Sequence, residues 1–237
     1  MLWQWVNTGA QVIILDLDGT LMPSAGIDNR CYWQAVFACF GVSGPLPDLH
    51  GFRHVTDSGI LDEWCHRELG HAARSEEIEW IRQRFSQLLE EAFNQQPRHF
   101  TPTPGVEDWL EAVGARRHVC AGIATGGWGH SARLKLRHSG LDRFELPLAS
   151  SDDAIARTDI MRISLGRTLQ KVSTDRPTIT YVGDSPWDFH ASRLLDWRFV
   201  GIASGHAAAQ LRKAGATCIR PDFKKYDLDQ GPGRISV

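Results

Sequence analysis

The sequence lacks the features that mark several large protein classes. Its 237 residues include five cysteines, an odd number without a Cys-x-x-Cys pair, which argues against a disulfide framework and a zinc knuckle. The N-terminus has no basic segment followed by a long apolar one, so no signal peptide is expected. The apolar run 12–15 is far shorter than the ~20 residues that a membrane helix needs. These absences predict a cytoplasmic protein in a reducing compartment.

An excess of charge of one sign is also missing. The chain has 28 acidic and 26 basic residues, a net charge of −2, so neither nucleic acid nor an anionic membrane is an expected partner. The composition, 42% apolar and 23% charged, is ordinary for a globular protein of one or two domains. No internal repeat is found.

Short apolar runs that end in turn residues predict the strands of a buried parallel sheet. These runs lie at 11–17, 118–124, 145–149, 178–182 and 197–203. Helical periodicity between them, at 105–116, 129–138, 158–172 and 186–195, completes the pattern of a doubly wound α/β fold. Because such folds bind ligands at the carboxyl ends of their strands, the polar residues that follow each run are candidates for function.

Residues 22–100 interrupt this alternation. They contain helical patterns at 28–40, 57–69 and 75–94, no convincing strand, and proline-rich boundaries. We therefore predict an α/β core domain of residues 1–21 and 101–237, with an all-helical cap domain inserted at 22–100. A proline-rich return at 96–105 is expected to act as its hinge.

Four carboxylates follow two of the predicted strands. Asp16 and Asp18 end the first apolar run, and Asp184 and Asp188 follow the run at 178–182. Carboxylates at the end of a buried strand are costly unless they bind a cation or carry chemistry. An oxygen-rich set of this kind suits Mg²⁺.

A third strand end supplies groups suited to an anion. Thr125 offers a hydroxyl, and Gly126 offers an unhindered backbone N–H group. Lys135 and Arg157 are candidate cations for the same pocket. Any one of these motifs alone is most often a turn or a cap, but their order along the chain, each after an apolar strand, favours a shared site.

With these motifs, residues 11–220 resemble the haloacid dehalogenase-like (HAD) hydrolase superfamily. DLDGTL at 16–21 is similar to its first motif, Thr125 to the second, and GDSPWD at 183–188 to the fourth. The insert at 22–100 is similar to the helical cap of the phosphoglycolate-phosphatase-like branch.

The resemblance implies a role for each acidic residue. Asp16 would be the nucleophile that forms an aspartyl-phosphate, and Asp18 the general acid and base. Both would also ligate Mg²⁺, Asp18 through its backbone carbonyl. Asp184 would ligate the ion directly, and Asp188 would ligate it or orient its waters. Thr125 would hold oxygens of the phosphoryl group.

The third motif departs from the family pattern. No Lys-Pro pair is present, so the catalytic cation is either Arg157 or Lys135. In the cap, Arg53, His54 and Thr56 are tentative substrate contacts. The alternative is that Thr56 only caps a helix and Arg53 faces water.

The expected activity is therefore Mg²⁺-dependent hydrolysis of a small phosphate ester, by a monomer or a homodimer. Asp18 argues against a dehalogenase, and the absence of lysine from 22–100 argues against a phosphonoacetaldehyde hydrolase. A phosphosugar mutase would share every core residue, and a non-catalytic phosphate-binding protein is a further alternative. The substrate itself is not identified by these motifs.

Overall fold

A six-stranded parallel sheet forms the centre of the protein in a computed structural model that describes residues 10–171, 177–224 and 226. The strand order is β3-β2-β1-β4-β5-β6. The strands are β1 (Gln11–Leu15), β2 (Val119–Ala124), β3 (Leu148–Ala149), β4 (Thr178–Gly183), β5 (Arg198–Ile202) and β6 (Ile219–Arg220). Strand β1 lies in the middle, with Ile14 opposite both Gly122 of β2 and Tyr181 of β4. The α/β class and the parallel sheet predicted from the sequence are confirmed.

Eight α-helices accompany the sheet in the described residues. They are α1 (Ala25–Phe40), α2 (Asp57–Glu68), α3 (Ser75–Gln95), α4 (Val106–Gly114), α5 (Gly129–Ser139), α6 (Arg157–Leu169), α7 (Pro186–Leu194) and α8 (Gly205–Ala214). No described helix has the length and apolar character needed to cross a membrane. All five cysteines are free thiols.

The observed elements differ from the predicted ones mainly at the edges of the sheet. Of the predicted strand 145–149 only Leu148–Ala149 pairs, because Glu145 adopts a left-handed conformation with φ of 47°. Helix α8 and strand β6 were not predicted. Helix α1 starts three residues before the predicted segment 28–40. The described residues do not include residue 172 of the predicted helix 158–172. They also exclude residues 1–9, in which no signal peptide is expected.

Both faces of the sheet are covered, which explains why its strands are continuously apolar. Val12 and Ile14 of β1 pack in a cluster with Met161 of α6. Ile13 and Leu15 point to the opposite face, into a larger cluster that also includes aromatic residues of the segment 22–100. We call that segment, which carries α1, α2 and α3, the helical insert. It therefore shares a hydrophobic core with one face of the sheet.

Candidate active site

The chain turns sharply after β1, and this turn carries two carboxylates, Asp16 and Asp18. The backbone N–H of Asp16 still donates to the carbonyl oxygen of Val182 at 2.8 Å, so Asp16 continues the line of the strand. Gly19 then adopts a left-handed φ of 89°. A Cβ atom at Gly19 would lie 2.2 Å from Oδ2 of Asp184. Both the conformation and the close approach require glycine here, which brings the β1 turn against the β4 turn.

Three of the four predicted carboxylates meet beyond the ends of β1 and β4. One oxygen from each of Asp16, Asp184 and Asp188 lies within 4.8 Å of the others. Burial, with the neighbouring Asp188, raises the pKa of Asp16 well above its usual value, and the same two causes raise the pKa of Asp184 to about 8. Burial also raises the pKa of Asp188. A divalent cation would relieve this repulsion, and carboxylate oxygens are the ligands that Mg²⁺ takes.

Arg157, at the start of α6, is the cation of this cluster. Its Nη1 lies 2.9 Å from Oδ1 of Asp188 and 3.3 Å from Oδ1 of Asp16. Its Nη2 donates to the backbone carbonyl of Val55, in the helical insert, at 2.8 Å. Burial alone would lower the pKa of Arg157, but the surrounding carboxylates, chiefly Asp188, outweigh burial and raise it. The guanidinium therefore stays charged beside the predicted nucleophile.

Lys135 contacts a different carboxylate. Its Nζ donates to Oδ2 of Asp18 at 2.5 Å and to Oδ1 of Asp28 in α1 at 2.6 Å, with the lysine side chain fully buried. The Ser24 hydroxyl donates to the other oxygen of Asp18 at 2.5 Å. The structure thus brings Lys135 and Arg157 to neighbouring carboxylates rather than to one shared position.

The side chain of Asp18 stands apart from the three-carboxylate cluster. Among the described residues, the group suited to a metal contains Asp16, Asp184 and Asp188 only. Both oxygens of Asp18 accept hydrogen bonds, from Lys135 and Ser24, so its side chain already has partners outside the three-carboxylate cluster. The metal ligand predicted at Asp18 remains its backbone carbonyl.

Thr125 and Gly126 follow β2 and face the same region. The Thr125 hydroxyl accepts a hydrogen bond from the N–H of Gly127 at 3.1 Å, which shapes a tight loop. A Cβ atom at Gly126 would lie 2.6 Å from Nη2 of Arg157 and 2.9 Å from the carbonyl oxygen of Val55. Only glycine therefore fits between the guanidinium and the helical insert.

A small cavity of about 100 Å³ joins these groups. Its lining includes Asp16, Asp18, Thr125, Gly126, Arg157 and Asp184 from the core, with Asp28, Asn29, Tyr32, Thr56 and Asp57 from the helical insert. Apolar walls come from Leu49, Ile60 and Trp187. The cavity therefore brings together the predicted nucleophile Asp16, the predicted general acid and base Asp18, and the cation Arg157.

The three tentative substrate contacts are separated by the structure. Thr56 lines the cavity, but its hydroxyl accepts from the N–H of Gly59 and donates to the carbonyl of Ile155, so it is the N-cap of α2. Arg53 is exposed and, with His54, lines a neighbouring cavity of about 510 Å³ on the far side of Val55.

Sequence reasoning missed several residues around the site. Asp28, which pairs with Lys135, and Asn29 lie on the first turns of α1. Tyr181 lies within an apolar strand, and its hydroxyl donates to the carbonyl of Ala124 at 3.1 Å beside Asp188 and Arg157. The available signal was weak: a lone acidic residue at a helix start and a polar atom within a strand both have ordinary structural roles.

Comparisons with known proteins concern the family and the fold. The haloacid dehalogenase-like hydrolase family model matches residues 13–202. A hydrolase from Pseudomonas syringae is similar in structure, with a TM-score of 0.69, 22% identity, and coverage of 90% of this chain and 94% of that one. No curated protein matches the sequence.

Two further structural relatives have more specific names. A putative beta-phosphoglucomutase from Bacteroides vulgatus has a TM-score of 0.63 and 18% identity, over 91% of this chain and 85% of that one. A predicted phosphoglycolate phosphatase from Haemophilus somnus has a TM-score of 0.57 and 18% identity, over 90% and 95%. At these identities the likeness shows the fold alone.

Proposed function

This chain belongs to the haloacid dehalogenase-like hydrolase family, and on that premise we propose that it is an Mg²⁺-dependent phosphatase of a small phosphorylated metabolite. The observation that carries the proposal is the meeting of Asp16, Asp184 and Asp188, with oxygens within 4.8 Å, beside Arg157 and the Thr125 loop. Such a site combines a nucleophile with positive charge for a phosphoryl group.

The reaction would proceed in two steps. An Asp16 oxygen attacks phosphorus while the bond to the ester oxygen breaks, and Asp18 gives its proton to that leaving oxygen. Asp18 then takes a proton from the water that cleaves the aspartyl-phosphate, which releases phosphate and restores Asp16. Arg157 and the Thr125 loop hold the non-bridging oxygens in line with the nucleophile.

Asp16, Asp184 and Asp188 would hold the Mg²⁺ ion together with the backbone carbonyl of Asp18. When bound, the ion supplies positive charge against the phosphoryl oxygens. The hydrogen bonds from Lys135 and Ser24 keep the Asp18 carboxylate oriented toward the cavity that it lines. Lys135 is therefore a positioning residue in this mechanism, and Arg157 contacts the nucleophile itself.

We further propose that the helical insert, residues 22–100, is a cap that closes over residues 1–21 and 101–237. Direct hydrogen bonds support this function: the N–H of Asp57 donates to the carbonyl of Gly126 at 2.8 Å, and Arg157 donates to Val55. Closure excludes water from the phosphoryl group until the leaving alcohol departs. A cytoplasmic location fits the five free thiols.

The test compares Asp16→Asn with Asp159→Asn, which removes an exposed carboxylate from α6. With p-nitrophenyl phosphate and MgCl₂, we expect Asp16→Asn to lower kcat by at least about 1,000-fold and Asp159→Asn to change it little. EDTA should abolish turnover reversibly. Turnover of Asp16→Asn near the wild-type rate would overturn the mechanism. Faster conversion of a phosphohexose with a bisphosphate activator than hydrolysis of any ester would identify a mutase instead.

A further inference from the structure

We propose that the cavity binds an ammonium group on the leaving alcohol, so that the preferred substrates are phosphate monoesters of short amino alcohols. The ammonium would lie against Asp57 and near Asp28, both supplied by the helical insert. This inference rests on the proposed phosphatase function and adds the class of substrate to it.

The helical insert gives the cavity negative charge only. The charged side chains that it contributes to the lining are Asp28 and Asp57, and the remaining lining groups from the insert are neutral. Among the described residues that line the cavity, Arg157 is the one cation, and Asp188 and Asp16 already engage it. Asp28 is paired with Lys135 at 2.6 Å, so a leaving group that carries a carboxylate would meet like charge at Asp57 above all.

Asp57 is a buried carboxylate without a counter-ion. Its residue is 8% exposed, and Oδ2 accepts from the N–H of Trp128 at 2.8 Å. Within the described part of the chain, no arginine or lysine forms an ion pair with this side chain, and its one side-chain hydrogen bond is the one from Trp128. Burial, with the charge of Asp28, raises the pKa of Asp57 well above its usual value, although the charge of Lys135 and the hydrogen bond from Trp128 act to lower it. A bound cation would offset both the cost of burying the Asp57 charge and its repulsion by Asp28.

The position of Asp57 is fixed relative to the phosphate loop. Its N–H donates to the carbonyl of Gly126 at 2.8 Å, and its own carbonyl accepts from the Tyr32 hydroxyl at 2.8 Å. A ligand that places its phosphate at Thr125 therefore has its alcohol portion near this carboxylate. The cavity has a volume of about 100 Å³, which suits an alcohol portion of a few atoms. Leu49 and Ile60 provide apolar walls for its carbons.

Three esters of similar size test the inference in the wild-type enzyme: O-phosphoethanolamine, n-propyl phosphate and phosphoglycolate. They end in an ammonium, a methyl and a carboxylate group. We expect kcat/KM to fall in that order, by about tenfold or more at each step, because the charge of the leaving group is matched, absent or repelled. Equal values for the first two esters, or a preference for phosphoglycolate, would overturn the inference.

The variant Asp57→Asn then tests the residue itself. The amide keeps an oxygen for the N–H of Trp128 but loses the charge, so the ratio of kcat/KM for O-phosphoethanolamine to that for n-propyl phosphate should fall about tenfold or more. Asp62→Asn is the matched control, because it removes an exposed carboxylate from the same helix, and its ratio should equal that of the wild type. An unchanged ratio in Asp57→Asn would overturn the role of Asp57.

Failure of the two proposals can be distinguished. If the wild type hydrolyses p-nitrophenyl phosphate through Asp16 but shows no preference for the ammonium ester, the phosphatase proposal stands and the substrate class is wrong. If no ester is hydrolysed with Mg²⁺ present, the phosphatase proposal itself fails. The wild-type comparison needs no variant, so poor folding of Asp57→Asn would leave the substrate class open to refutation.

Discussion

Replacing Lys135 with methionine removes a buried charge while keeping the length and volume of the side chain. The ammonium group of Lys135 is fully buried between Asp18 at 2.5 Å and Asp28 at 2.6 Å. Burial alone would lower the pKa of this lysine, but the two carboxylates outweigh burial and raise it, so it is charged in the native protein. The variant leaves two carboxylates facing each other without a cation.

The cost of this change follows from the same contacts. At an effective dielectric constant of 20, each pair gains about 6 kcal/mol of gross Coulomb energy, which the desolvation of the lysine largely offsets. Removing one member of a buried pair costs about 3–5 kcal/mol, because the remaining charge is uncompensated. With an m-value of about 3 kcal/mol per M, the urea midpoint of Lys135→Met should fall by about 1–2 M.

Two further variants separate charge from packing in urea denaturation at pH 8. Lys213→Met removes an exposed lysine from α8 and should stay within about 0.5 kcal/mol of the wild type. The double variant Asp28→Asn with Lys135→Met removes one of the two stranded carboxylates and should recover part of the loss. A double variant less stable than Lys135→Met would refute the electrostatic reasoning, and so would a single variant as stable as the wild type.

Arg157→Ala should lower kcat about 100- to 1,000-fold in p-nitrophenyl phosphate assays. Its control, Arg162→Ala, removes an exposed arginine from the same helix and should leave kcat unchanged. Equal effects of the two variants would exclude a catalytic Arg157. Gly41 has a φ of 64°, and a Cβ atom built there would have no neighbour within 4 Å. Gly41→Ala should therefore lower the free energy of unfolding by about 1–2 kcal/mol through backbone strain alone, as measured by thermal unfolding. Gly19→Ala should lower the free energy of unfolding more than Gly41→Ala does, because its Cβ atom would meet Asp184. It should also raise the Mg²⁺ concentration needed for half-maximal activity. An unchanged Mg²⁺ requirement would contradict this reasoning. In EDTA, the raised pKa of Asp184, about 8, means that the folded state binds this proton more tightly than the unfolded state. Its contribution to the unfolding free energy is therefore present below about pH 4 and is lost as the pH rises to about 8. In urea titrations, MgCl₂ should suppress that loss. An identical pH dependence of the unfolding free energy with and without Mg²⁺ would count against a metal at this cluster.

The central strands were predictable because burial on both sides leaves an unmistakable apolar run. Strands β1, β2, β4 and β5 all match such runs. The edge strands gave weaker signals: Leu148–Ala149 and Ile219–Arg220 are two residues long, and the second is only partly buried. Two residues of a strand do not establish a period, so the run at 145–149 predicted β3 with the wrong start and β6 was not distinguished from a loop.

The core half of the site was predictable for a topological reason. Parallel strands end at one edge of a sheet, so Asp16 and Asp184 had to approach each other whatever the details of the turns. The insert half follows no such rule. Helical periodicity does not say which face of the insert meets the sheet, so a substrate contact could be sought there only by residue type, which points to Arg53 and His54 and not to Asp57. The structure places Arg53 in the neighbouring cavity and Asp57 in the site.

The two cations of the site link it to the helical insert in the same way. Lys135 joins Asp18 of the core to Asp28 of α1, and Arg157 joins Asp16 of the core to the carbonyl of Val55. Undocking the insert would remove one partner from each buried cation and leave it with fewer acceptors. In the proposed mechanism, docking of the insert and orientation of Asp16 and Asp18 would therefore be one coupled event, because the same two cations contact both parts.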